Sequence, residues 1–227
     1  MTKRPTTPAR RKRRTLWAAL VLVLSLAVLA LALDFPILTA GQALRATQRQ
    51  HFFGPGAVID HIDFPRPLHT VKGGQYDRYY ILRQGDWYAW CGVNHYGLFW
   101  QTGALDAVEN DPDVPLVPLV VSDWDEGAAL VVCNRPDIAS VEVEFPVYAG
   151  SRYLLATAAQ DQKTENCFLV SWNLDWREVI WLYPEEVRLR GYDIDGELVY
   201  ESPVPESWTA DFGITDPDSP STRYTPA

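Results

Sequence analysis

Cys91 and His95 stand four residues apart in the stretch GDWYAWCGVNHYGLFWQTG, Gly85 to Gly103. A thiol and an imidazole that converge can act as nucleophile and base when a third group orients the ring. A strand through this segment would point Cys91 into a core, so no such pair is expected. The same stretch holds six rings: Trp87, Tyr88, Trp90, Tyr96, Phe99 and Trp100. Aromatics this dense suit a packed core, or a platform on which a sugar face or another ring stacks. A hairpin turning at Asn94-His95 would sort them by alternation. Trp87, Ala89, Cys91 and Val93, with Tyr96, Leu98 and Trp100, then form the more apolar face. Tyr88, Trp90 and Phe99 form the other face, with Asp86 and Gln101 placed for hydrogen bonds. Tyr88, Trp90 and Phe99 are therefore the candidate ligand-binding residues, with a glycan or an envelope protein as the partner.

Other chemistry is thinly supported. His51, His61, His69 and His95 lack HxH, HExxH or CxxC company, so no metal site is expected. His61 and Asp63 would share a strand face as a surface pair. The acidic stretches Glu109–Asp113, Asp123–Glu126 and Asp193–Glu197 lack the twelve-residue spacing of a calcium loop and read as solvated turns. No GxSxG, SxxK, phosphate-binding or dinucleotide fingerprint is present. No catalytic residue and no cofactor is assigned. Two carboxylates facing each other could still hydrolyse a glycan, so an envelope hydrolase is the alternative to a binding role. A structural subunit of an envelope complex is a third.

The elements that position these residues begin with a membrane signal. Residues 1–15 carry seven of the twenty Lys and Arg and no acid, while all twenty-nine acids lie at position 34 or later. Residues 34–227 thus carry 13 basic against 29 acidic groups, a formal −16. A surface this acidic repels phosphate backbones, so no nucleic-acid partner is expected. Between the two regions lie eighteen uncharged residues, Leu16–Leu33. As a helix they span about 27 Å, close to a bilayer core. The basic residues before them predict a cytoplasmic N-terminus and an extracytoplasmic C-terminal part. Small residues at Ala30–Ala32 and Gly41–Ala43 resemble cleavage sites, but the apolar run exceeds that of a signal peptide, so an uncleaved anchor is expected. A bacterial cell-membrane protein fits these features.

After the anchor, Asp34-Phe35-Pro36 can open a short stalk helix that Gly54-Pro55-Gly56 stops, within residues 34–56. From Ala57 onward, alternating Val, Ile, Tyr and Trp between Gly, Pro, Asn and Asp turns read as all-β, a sandwich or meander. A first β domain is expected over 57–115. A linker with three prolines (Glu109–Pro118) then leads into a second, over 116–202, whose seven short strands suggest an immunoglobulin-like sandwich. Asp195-Gly196 predicts a two-residue hairpin loop between its last strands. Asp175–Val187 fits either a helical turn or a strand. Residues 203–227, rich in Pro, Ser, Thr and Asp, read as a mostly disordered tail. The odd count of three cysteines excludes full intramolecular pairing and leaves a Cys133–Cys167 bridge as one option.

Overall fold

A computed structural model describes residues 8–32, 37–63, 77–123, 126–173, 180 and 182–225. Helix α1 (Pro8–Ala32) contains the apolar window Lys12–Ala30, none of it buried by the rest of the chain. Among the described residues it is the one helix long and apolar enough to cross a membrane.

Helix α2 (Ala40–Gln50) starts later than expected, because Thr39 caps it. The Thr39 hydroxyl accepts from the Gln42 amide, and the Gln42 side chain accepts from the Thr39 amide. Asp34-Phe35-Pro36, the start read from the sequence, lies outside the described residues. Ala40, Ala43, Leu44, Thr47 and Gln48 are buried, the i, i+3, i+4, i+7, i+8 stripe of a docked helix. The helix expected as a stalk packs its stripe on a sheet.

The rest is mostly β, in antiparallel sheets. Strands β1 (Ala57–Asp63), β2 (Arg78–Gln84), β3 (Trp87–Tyr96) and β4 (Phe99–Glu109) form a first sheet in chain order. Strands β5 (Leu116–Asp123), β6 (Glu126–Cys133), β9 (Lys163–Thr164) and β10 (Cys167–Asn173) form a second, ordered β5-β6-β10-β9. Strands β7 (Ser140–Ala149), β8 (Arg152–Gln160), β11 (Arg188–Tyr192) and β12 (Leu198–Glu201) form a third, ordered β12-β11-β7-β8. The proline-rich linker is shorter than expected. Pro118 lies inside β5, an edge strand where a missing N–H is tolerated. The β11–β12 loop is longer than the expected two residues. Asp193 and Glu197 close it, the Asp193 carboxylate accepts from the Asp195 and Glu197 amides, and Gly196 takes φ +80. Of the ambiguous Asp175–Val187, residues 174–179 and 181 lie outside the described residues, and Pro184–Glu186 is a 3-10 turn.

Alternation sends the side chains of each sheet to two faces, and the cores stack accordingly. Ala89, Cys91 and Val93 of β3 face α2, packing with Ala43 and Leu44. Ile81, Tyr88 and Trp90 face the second sheet, packing with Val117, Leu119, Leu130 and Val132. The other face of that sheet, with Ala129, Val131, Phe168 and Val170, packs on Val141, Val143, Phe145 and Leu189 of the third. The second sheet is buried on both faces, which explains the unbroken apolar run of β6. Residues 57–115 and 116–202, read as separate β domains, share the core around Tyr88 and Trp90. The sheet arrangement also separates two thiols. Cys167 pairs with Val132 and faces the first sheet, while Cys133 faces the third, so the considered bridge does not form.

The C-terminal segment is a second correction. Residues 203–225 cross the outer face of the third sheet and include helix α3 (Glu206–Ala210). Trp208 and Ile214 are buried against Leu155. The Tyr224 amide donates to the Leu155 carbonyl at 2.8 Å, shielding part of the β8 edge. Few apolar residues were available in this tail, but these sit at the contact, and charge does the rest. Glu144 and Arg188 are nearly solvent-free, bonded Nε to Oε2 at 2.6 Å. Arg223 bonds the other Glu144 oxygen. Asp218 accepts from Arg188 at 2.9 Å and from Arg190 at 3.1 Å.

Candidate functional site

The aromatic stretch folds as the β3–β4 hairpin, but its turn is three residues later than expected. Tyr96 pairs with Phe99, and the loop is Gly97-Leu98. Gly97 takes φ +64 at the first central position, which a type II′ hairpin loop requires and glycine supplies without strain. The register also shifts between Cys91 and Val93. Trp90 therefore opposes Asp106, while Phe99 opposes Tyr96 at the far end of the hairpin.

The three candidate residues part company as a result. Tyr88 and Trp90 are 1% and 2% exposed, closed between the first and second sheets. The Tyr88 hydroxyl donates to Asn166 Oδ1 at 3.0 Å, and Trp90 Nε1 donates to the Leu119 carbonyl at 3.4 Å. Tyr79 meets Trp90 edge-on at 5.6 Å. Both rings are core pillars with satisfied polar tips. Phe99 alone stays open, 47% exposed at the hairpin tip. Its neighbours there are Tyr96 at 74% and Leu98 at 82% exposure. A turn at Asn94-His95 would have set these two on the more apolar face, and the turn at Gly97-Leu98 leaves them in the open. Trp87, also assigned to the core, is exposed at the other end of β3. The Gly97 in YGLF was the signal that could have placed the turn.

The base of the tip is braced. Trp100 donates its amide to the Ile37 carbonyl at 2.8 Å, tying β4 to the chain just after α1. The Arg78 guanidinium lies 5.8 Å from the Trp100 ring. Arg78 also grips Asp63, Nη2 to Oδ2 at 2.9 Å, and holds that carboxyl below the usual range. Asp63 is thus engaged by Arg78 rather than by His61. The His95 ring stacks at a tilt on Trp100, 4.9 Å between centroids. Leu38, beside Ile37 in the chain, is exposed.

Elsewhere among the described residues the buried acid–base groups are committed to structure. Cys91 and Cys167 are buried, and burial pushes each thiol up to about 12. Cys91 is interior and His95 exposed, so the pair does not converge. Glu142 and Glu144, on the outward face of the third sheet, are bonded by Arg190 and Arg188. Asp218 is held below the usual carboxylate range, first by its hydrogen bond from Arg188. Among the described residues no group of three His, Cys, Asp or Glu could hold a metal ion. A cavity of about 360 Å³ lies between the β7–β8 turn and the C-terminal segment, lined by Ser151, Tyr153, Phe212 and Thr222 among others.

Residues 36–212 match the family described as a domain of unknown function, DUF5044, and the chain belongs to that family. The match takes in α2 and all three sheets, consistent with their shared cores. No curated protein and no solved structure matches the chain.

Proposed function

We propose that this chain is a single-pass protein of the cell membrane whose stacked sheets stand on the extracytoplasmic side and serve a non-catalytic binding, scaffolding or sensing role. The observation that carries this reading is α1. It is unburied by the rest of the chain, and seven basic residues precede its apolar run from Leu16, the arrangement that keeps an N-terminus cytoplasmic. Residues 116–202 are read as immunoglobulin-like. The order β5-β6-β10-β9 against β12-β11-β7-β8 supports this, since it follows strands A-B-E-D facing G-F-C with one added strand beside C. Domains of this build offer edges and loop ends to partners, and here an envelope protein or a glycan is the partner class.

The hydrolase alternative draws on Glu142 and Glu144, yet arginines occupy both carboxylates. A general acid needs a raised pKa, and Asp63, Asp137 and Asp218 are all held down by arginine neighbours. A direct test incubates the full-length chain, in detergent, with isolated envelope fractions. Retention without turnover of envelope glycan is expected. Turnover that disappears in Glu142→Gln or Glu144→Gln would replace the binding reading with the hydrolase.

A further inference from the structure

The tip of the β3–β4 hairpin is exposed, apolar and tied to the membrane-proximal chain. Helix α1 ends at Ala32, and Ile37 is five residues on. Five residues reach at most about 18 Å. Because the Ile37 carbonyl holds the Trp100 amide, β4 is held within that reach of the end of α1. Phe99 is the next residue back along β4, and Leu98 and Tyr96 follow around the turn. Leu38 adds a fourth exposed apolar side chain to the same neighbourhood.

The chemistry of the tip fits the interfacial layer of a bilayer. Aromatic rings with a polar edge collect at headgroup level, and leucine and phenylalanine partition toward the acyl boundary. Charge does not oppose this. No Asp or Glu occurs from Trp87 to Leu105, although residues 34–227 carry a formal −16. The turn itself therefore brings no carboxylate against anionic headgroups, and the Asp77 carboxylate stands at its base, where it accepts from the His95 amide. Its shape matters too. A two-residue turn is convex and gives a folded partner little to enclose, whereas a soft layer closes around it. Depth is limited by the turn's backbone, whose unpaired groups need water or headgroups. The Arg78 stack on Trp100 and the Asp63–Arg78 pair keep the tip's base rigid.

We propose that Tyr96, Leu98 and Phe99, with Leu38 beside them, rest in the headgroup layer of the same bilayer that α1 crosses, fixing how the sheets stand on the membrane. The inference depends on the anchoring reading above. Its test uses the full-length chain in vesicles of phosphatidylcholine and phosphatidylglycerol. An environment-sensitive dye is placed on Leu98→Cys, and on Ile194→Cys as a reference, since Ile194 is exposed in the β11–β12 loop and the native thiols are buried. Unchanged thermal melts establish that both labelled chains are folded. Nitroxide lipids should quench the dye at 98 several-fold more than at 194, and aqueous iodide should quench it less. Equal behaviour at the two positions overturns the inference. So does a photocrosslinker at position 98 that captures protein rather than lipid in native membranes. Flotation after an alkaline wash separates the two claims. If the chain stays with the vesicles while position 98 is aqueous, only the tip inference falls. If the chain leaves the vesicles, the anchoring reading falls and takes the tip with it.

Discussion

Trp90 and Phe99 are nine residues apart in one aromatic stretch, yet the turn at Gly97 gives them opposite fates. Trp90 fills the space between two sheets, so Trp90→Ala should cost about 3–5 kcal/mol through lost burial and a cavity, read as a large fall in Tm. Phe99→Ala removes an open ring and should change stability by no more than about 0.5 kcal/mol. Equal effects would mean that the hairpin register is wrong. The thiols give a second prediction at this scale. With Cys91 and Cys167 pushed up to about 12, only about one in ten thousand is a thiolate at pH 8. Iodoacetamide should leave both unmodified in the folded chain and alkylate them after denaturation. The raised values also set a sign. The unfolded thiols ionise near pH 8.5 while the folded ones do not, so stability should decline as pH rises above that value. The sequence announced the aromatic density and the inward Cys91. It did not announce which side of Trp90 would be covered, because alternation assigns faces but not what packs on them.

The C-terminal segment shows what pattern reading misses at the scale of an element. Its composition is that of a disordered tail, and it orders because Trp208, Ile214 and Arg223 land on a face prepared for them. That face was partly visible in sequence. The segments VEVEF and RLRGY alternate charge with apolar residues, and the register sets Arg188 against Glu144 and Arg190 against Glu142. Which tail residues would complete the network depends on chain folding, not spacing. Glu144→Gln leaves the Arg188 guanidinium without its one buried carboxylate, with the exposed Asp218 still hydrogen-bonded to it, and should cost about 3 kcal/mol. A paired Glu144→Leu, Arg188→Met change should cost clearly less, and thermal melts of the three variants measure the difference. Asp218 supplies the pH dependence. Its carboxyl is lowered by Arg188, so its contribution is complete above the unfolded value near 4 and is lost as pH falls through the folded value. Hydrogen exchange in residues 203–224 should therefore accelerate below about pH 4, ahead of the sheet cores. Uniform protection down to global unfolding would contradict that role. Helix α2 was easier to read, since its capping box and stripe are both local. Its docking on the first sheet was not, because the partner face comes forty residues later.

On the scale of the whole molecule, α2, three sheets and the C-terminal segment stack so that each inner sheet is covered on both sides. The strands were legible as alternation and turn signals, and so was the apolar helix ahead of them. The contact between residues 57–115 and 116–202 was not legible, because the residues that join them are the same aromatics that looked like a platform. A shared core predicts one cooperative transition: urea unfolding followed by tryptophan fluorescence and by far-ultraviolet circular dichroism should coincide. Two separated transitions would restore the two-domain picture. The central claim is that α1 holds this stack outside the membrane. Ser151, exposed in the β7–β8 turn, offers a site to test it, because the native thiols are buried. A membrane-impermeant maleimide applied to intact cells should label Ser151→Cys before lysis, on a protein that an alkaline wash does not release. Labelling only after lysis, or a released protein with a new N-terminus between Leu31 and Leu44, would contradict the account.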